Sequence, residues 1–313
     1  MTTFTSDDIC KALHNLGVNF QSIGPQLKAL SFKSLRKVEP AGIFYVEGAA
    51  PAVATTIRGS LIVCSSIEGL HDSNSFLLVK NPQLAFYKLM RHFFEPLPQW
   101  GIHPTAVVDP LADIHLEVEI GPYCIVGKAC LKQGVRLKSH VVVADNSIVG
   151  SNTVIEPHST IGATGVVWVW DETTGERVVQ PQIGGVEIGD DCFIGSDVSI
   201  VKGSVNESTR IGRGTVMAHG TKIGHGCTVG EYNHFANNVS LAGNVHSGTQ
   251  CFFGSACVVR PMVTLAERTT VGVGAVVVGD VDSPDLVLMG VPAKPFERKK
   301  EKLSGVPKQS TGE

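Results

Sequence analysis

Residues 223–245 read IGHGCTVGEYNHFANNVSLAGNV, with a large hydrophobic residue at every sixth position: Ile223, Val229, Phe235 and Leu241. A period of six fits neither the 3.6-residue repeat of an amphipathic helix nor the two-residue alternation of a half-buried strand. It fits a coil of three short parallel strands per turn, about eighteen residues, whose aliphatic positions stack inward while small residues turn the corners. Two imidazoles, His225 and His234, interrupt this pattern of small and aliphatic residues without serving it.

The repeat extends well beyond this stretch. From Ile211 the first positions run Ile211, Met217, Ile223, Val229, Phe235, Leu241, Ser247, Phe253, Val259, Leu265, Val271 and Val277, eleven of the twelve being hydrophobic. Earlier it passes through Ile102, Val108, Ile114, Ile120 and Val126, slips by one residue, and continues through Leu131, Leu137, Val143, Val149, Ile155 and Ile161. An eleven-residue step separates Ile200 from Ile211. The period vanishes over residues 162–187, where alternating apolar residues flank a polar DETTG turn, the signature of a projecting hairpin. Trp168 and Trp170 on that insertion either seal its base or line a substrate cleft against a neighbouring subunit.

The remainder of the chain differs in character. Residues 1–100 combine helical spacing over 8–19 and 83–94 with the strand-like runs GIFYV, SLIVC and FLLVK, which predicts a small α/β domain before a coil over 101–283. Residues 284–313 form a charged, Pro/Gly-containing tail. The eight cysteines include no C-x-x-C pair. Cys124, Cys130, Cys192, Cys227, Cys251 and Cys257 fall at the fifth position of the repeat and are expected as small buried side chains. A formal net charge of -3 on 313 residues offers no basic field for nucleic acid. With no long apolar run for a membrane span and no signal-peptide pattern in MTTFTSDDIC, a soluble cytoplasmic protein is the expectation.

These residues carry a resemblance. The hexad repeat resembles that of the left-handed β-helix acyltransferases, so a mainly β fold with a left-handed parallel β-helix is expected. NPQLAFYKLM, GIHPTAVVDPLADI and WVWDETTGERVVQPQIGGVEIGDDCFIGS are similar to the UDP-3-O-acylglucosamine N-acyltransferases of lipid A synthesis. IGHGCTVGEYNHFANNVSLAGNV, VGVGAVVVGDV and GVPAKP are similar to the nucleotide-sugar acetyltransferases of the sialic acid and bacillosamine type. Both branches imply a general base at His225, where a neutral imidazole takes the proton that a sugar amine loses as it attacks a thioester. His234 matches a second histidine implied to contact donor or sugar.

Gly226 stands where the acetyltransferase branch carries an acidic residue, so the group orienting His225 is either Glu231 or a main-chain carbonyl. Tyr45 lies near an aromatic that reads uracil in the lipid A branch. The GVPAKP ending resembles enzymes that use coenzyme A, implying acetyl-CoA or another short acyl-CoA as donor. Its pantetheine would lie along Gly243, Ser255, Ala256 and Gly274, with Lys294 and Arg298 toward the phosphates, unless those two belong to a solvated basic tail. A main-chain N–H near Gly243 would hold the oxyanion.

The expected activity is metal-free transfer of a short acyl group from acyl-CoA to the amine of a nucleotide-linked amino sugar, by a homotrimer. The carrier-protein-dependent lipid A reaction is the alternative. A zinc carbonic anhydrase-like enzyme is disfavoured because His219, His225, His234 and His246 are spaced six, nine and twelve residues apart, without the His-x4-His pair of that class. A non-catalytic scaffold leaves His225 unexplained.

Overall fold

The structure is a computed structural model that describes residues 2–297. The chain divides between Leu97 and Pro98 into two compact units. The first is a small α/β domain. Helix α1 (Ser6–Asn15) starts where Thr5 and Asp8 cap one another reciprocally, each side chain taking the other's backbone N–H. This cap starts the helix two residues before the expected position, and Gly17, at φ 66°, follows its end. Strands β1 (Gln21–Ile23), β2 (Ser31–Phe32), β3 (Gly42–Val46), β4 (Leu61–Cys64) and β5 (Ser75–Leu78) form one sheet in the order β1-β5-β4-β3-β2. Only β1 runs antiparallel to its neighbour. Helix α2 (Pro82–Phe94) begins at Asn81, whose side chain accepts the Leu84 N–H, with Pro82 preset for the first turn. Ile9, Leu13, Leu61, Val63, Leu77 and Leu89 pack into one core, while Phe44, Ile62 and Phe76 form another. The central β4 therefore reads as an unbroken apolar run, LIVC, buried at every position.

The second unit is a parallel β-helix with three faces. Among the described residues, its first face comprises eleven strands from Gly101–Ile102 to Lys294–Glu297, its second nine from Val107–Val108 to Val276–Val277, and its third eight from Asp113–Ile114 to Thr264–Leu265. Regular coils pair residue with residue eighteen positions apart, as Lys222 with Ser240 and Val216 with His234, so inward positions form vertical columns. One such column holds Ile155, Ile194, Met217, Phe235, Phe253 and Val271, all fully or almost fully buried. Phe235 and Phe253 stack with ring centroids 4.4 Å apart and planes 9° from parallel. Ser247 occupies an inward position between Val229 and Leu265, its hydroxyl buried without a partner among the described residues.

The departures from period six lie at corners. The slip after Val126 shortens one corner, where Ala129 N–H donates to Gly127 O at 2.7 Å and Leu131 still pairs with Ile114. That shortening corrects the expectation for Cys130. Losing one corner residue moves it from the buried fifth position to an outward strand position, with Sγ 3.4 Å from Asp113 Oδ2. The other five repeat cysteines are buried as expected. Residues 202–207 form a loop that accounts for the step from Ile200 to Ile211. In the 162–187 insertion, Trp168–Trp170 pairs antiparallel with Arg177–Val179, the expected hairpin.

The coil also continues past residue 283. Leu286–Met289 adds in parallel to Thr270–Val271, and Lys294–Glu297 pairs antiparallel with it, because Val287 and Leu288 are apolar residues that continue the first face. Among the described residues, no helix is long and apolar enough to cross a membrane.

Truncating a column residue removes contacts that neither neighbouring coil can replace. Phe235→Ala is expected to lower unfolding free energy by about 3–5 kcal/mol. Ser240→Ala, at an outward position, is expected to change it by no more than about 0.5 kcal/mol. Urea denaturation of the two variants beside the parent checks the contrast.

Candidate active site

His225 occupies a corner between Lys222–Ile223 on the second face and Thr228–Val229 on the third. The residue directly above it is Gly243, at the same corner of the next coil. A Cβ at Gly243 would stand 2.6 Å from His225 Nε2 and 3.0 Å from two ring carbons, so only glycine leaves room for the imidazole in this orientation. His225 Nδ1 is buried and has no hydrogen-bond partner among the described residues. The backbone is tied more firmly: Asn244 N–H donates to His225 O at 2.8 Å, and Gly226, at φ 67°, leaves space for the Asn244 side chain. The Gly243 N–H has no partner among the described residues, a property it shares with the first turn residue of other corners, such as His219.

The same edge of the coil carries both enlarged corners. The 162–187 hairpin leaves between Thr160–Ala163 on the second face and Gly185–Ile188 on the third, and the 202–207 loop lies one coil further along. Next come His225 and then Gly243. Hairpin and loop are joined: Ile183 N–H donates to Ser204 O at 3.0 Å, and Ser204 Oγ lies 3.3 Å from Gln180 Oε1. Buried Gln182 closes the hairpin base by accepting the Gly165 N–H. Trp168 and Trp170 meet edge to face and are 43% and 59% exposed, so of the two expectations for them the sealing role is not met.

The other expected site residues stand elsewhere in the chain. Glu231 is exposed at the corner between the third and first faces and makes no hydrogen bond to His225, which corrects its expected role as the orienting partner. His234 projects from the first face, across the coil from the His225 edge, and stacks on Phe252 with centroids 5.2 Å apart. Burial holds its imidazole below the ordinary histidine range. Ser255, Ala256 and Gly274 share the corner between the first and second faces, where Gly274 N–H donates to Ser255 O at 2.9 Å. Gly243 is not on that corner, so these four do not line one groove within a chain. The exposed Lys294 belongs to the last first-face strand, and Arg298 lies outside the described residues. His219 is exposed at the first–second corner and His246 is exposed on the third face.

Tyr45 lines a cavity of about 470 Å³ in the first unit, together with Phe32, Lys33, Arg36, Phe86 and Met90. Its ring lies 5.0 Å from that of Phe86, and burial followed by the neighbouring Tyr87 pushes its hydroxyl up from the usual phenol range. Lys33 is paired with Glu39, which Lys33 and Lys37 hold at a pKa of about 2. Arg36 has no ion pair among the described residues. Of this aromatic and basic cluster only Tyr45 is among the residues expected from sequence, although FKSLR displays two cations beside an aromatic within five residues.

No protein-family model matches the chain. Among solved structures it is similar to the UDP-N-acetylglucosamine O-acyltransferase of Moraxella catarrhalis RH4, at 32% identity and a TM-score of 0.55, covering 62% of this chain and 73% of that one. With the coil and its histidine edge, this likeness defines a left-handed β-helix acyltransferase of the hexapeptide-repeat class. Among curated proteins, the chain is 26% identical to the UDP-3-O-acylglucosamine N-acyltransferase of Bordetella parapertussis over 73% of this chain and 71% of that protein. The enzyme of the same name from Acinetobacter baylyi is 30% identical over 52% of this chain and 50% of that protein.

Because His234 is depressed by burial, the folded chain holds fewer protons there than the unfolded chain. Its contribution to stability is therefore present above the unfolded histidine value of about 6.5 and declines as pH falls through it. His234→Gln is expected to reduce the loss of stability on acidification from about pH 7.5 to about pH 5.5. Denaturation midpoints across that range supply the measurement.

Proposed function

We propose that the chain transfers an acyl group to the amine of a nucleotide-linked amino sugar, with His225 as the general base. The observation that carries this reading is the edge itself: an imidazole whose place depends on the missing side chain of Gly243, in a coil of acyltransferase fold. The sugar amine attacks the thioester carbonyl carbon and forms the C–N bond while Nε2 accepts the amine proton. The Gly243 main-chain N–H stabilises the oxyanion, the C–S bond breaks, and the proton held on Nε2 passes to the departing thiolate. For Nε2 to act as acceptor, Nδ1 must carry the ring's hydrogen.

The curated relatives favour UDP-3-O-acylglucosamine as the acceptor class, because the Bordetella match spans more of the chain than the coil unit holds. Taken by itself, the first-unit cavity has the chemistry of a nucleotide site: Phe32, Tyr45 and Phe86 offer faces for a base, and Arg36 a cation for phosphate. An acyl chain from acyl carrier protein then takes precedence over short acyl-CoA. The short-acyl-CoA reading rests on GVPAKP, which leads into the first-face strand Lys294–Glu297. The acyl-CoA reading remains the second choice, with turnover by acetyl-CoA in the absence of carrier protein as the result that would restore it.

A cyclic homotrimer completes the proposal. Val154, Phe193, Val216, His234 and Phe252 form a mostly apolar outward strip on the first face, in direct register from coil to coil. Packing this strip against the His225 edge of a second copy joins residues that one chain holds apart. Sedimentation equilibrium at micromolar protein is expected to return three chains per particle; a monomer would sink the shared-site arrangement.

His225→Ala is expected to lower kcat at least about a hundredfold while acceptor binding persists. Gly243→Ala should fall into the same range by displacing the ring, and the double variant should be no worse than His225→Ala alone. Steady-state kinetics of the three variants, with acyl carrier protein and acyl-CoA donors tried separately, test both the base and the donor.

A further inference from the structure

At regular corners of the coil, the second turn residue donates its N–H to a main-chain carbonyl on the coil beneath. Gly214 bonds Asp190 O at 2.9 Å, Gly220 bonds Ser196 O at 3.0 Å, Tyr232 bonds Arg213 O at 2.8 Å and Asn244 bonds His225 O at 2.8 Å. At the His225 corner this rule fails. The coil beneath is opened there by the 202–207 loop, and Gly226 N–H donates instead to Thr209 Oγ1 at 3.0 Å. The hydroxyl's single proton is already committed, to Val201 O at 2.6 Å across the neck of the loop. Thr209 is fully buried, so no water replaces either bond without opening the corner.

The imidazole depends on this arrangement more than an ordinary side chain would. Its Nδ1 has no hydrogen-bond partner among the described residues, and its ring occupies the space that a Gly243 Cβ would take, so its placement follows the backbone conformation of residues 225–226. We infer that Thr209 is a positioning residue: its hydroxyl replaces the missing carbonyl of the enlarged coil and thereby fixes the corner that presents His225. The inference rests on the reading of His225 as the base and adds the element that aims it. Valine at 209 keeps the β-branched shape but removes the hydroxyl, leaving Gly226 N–H and Val201 O unpaired. Serine keeps both bonds.

The test uses the full chain in Thr209→Val, Thr209→Ser and His225→Ala forms. Thr209→Val is expected to lower kcat by about ten- to a hundredfold, the scale of a small misplacement of a catalytic group, with KM nearly unchanged. Thr209→Ser should restore most of the rate, and Thr209→Val should cost nothing further in the His225→Ala background. Independently of activity, the His225 ring signals in a histidine-labelled NMR spectrum, assigned by their loss in His225→Ala, should shift or broaden in Thr209→Val and return in Thr209→Ser. Wild-type kcat and an unmoved ring signal in Thr209→Val overturn the inference while leaving the base reading intact. If His225→Ala itself retains full rate, the base reading fails; the ring signal alone then decides whether Thr209 holds the corner. Should valine prevent folding, Thr209→Ala takes its place, and equal rate losses in the serine form would overturn the hydroxyl's role.

Discussion

The structure depends on one constraint: the coil-to-coil hydrogen-bond ladder must stay in register. Each strand segment contributes two to four residues, too few to hold an isolated sheet, so the segments are stable only as rungs of columns running the length of the unit. Register then dictates chemistry. Because Met217, Phe235 and Phe253 lie directly above one another, each must be apolar and fit the cross-section left by its neighbours. An extra residue within a strand would turn every following side chain inside out. An extra residue at a corner turns none.

Variation therefore collects at corners, and one edge takes most of it. The 162–187 hairpin, the 202–207 loop and His225 follow one another along the junction of the second and third faces. On that edge the chain departs from regular solenoid geometry and must compensate locally. Gln182 closes the hairpin base, Thr209 supplies the hydrogen bond that the opened coil has lost, and Gly243 forgoes a side chain to admit the imidazole. These compensations surround the one histidine to which the chemistry is assigned, as expected when local regularity is given up for function.

The dispersion of the remaining candidate residues follows from the same geometry. A triangular coil sends residues six apart to successive corners, so proximity in sequence means separation in space. His225 and Glu231 are six residues apart and occupy different edges; His225 and Gly243 are eighteen apart and touch. His234 and the Ser255 corner could join the His225 edge only across a junction between copies, and for that reason the proposed mechanism is tied to assembly.

The six-residue period by itself determined the coil, the inward columns and the interruption at the hairpin insertion, because a pattern repeated so often excludes other periods; the role expected of His225 came instead from the family resemblance. The period could not assign residues to edges, since the five-residue step at Val126 and the eleven-residue step at Ile200 look in sequence like simple irregularities. Only the tertiary structure decided that the first turns Cys130 outward, half-buried, while the second opens the corner beneath His225. The surroundings of Gly243 and Thr209 were likewise visible only in the packing: at Gly243 a Cβ would face the imidazole, and at Thr209 a hydroxyl stands where other corners offer a carbonyl. Both are relations between neighbouring coils, and a linear pattern contains the residues but not the vertical contact that gives them meaning.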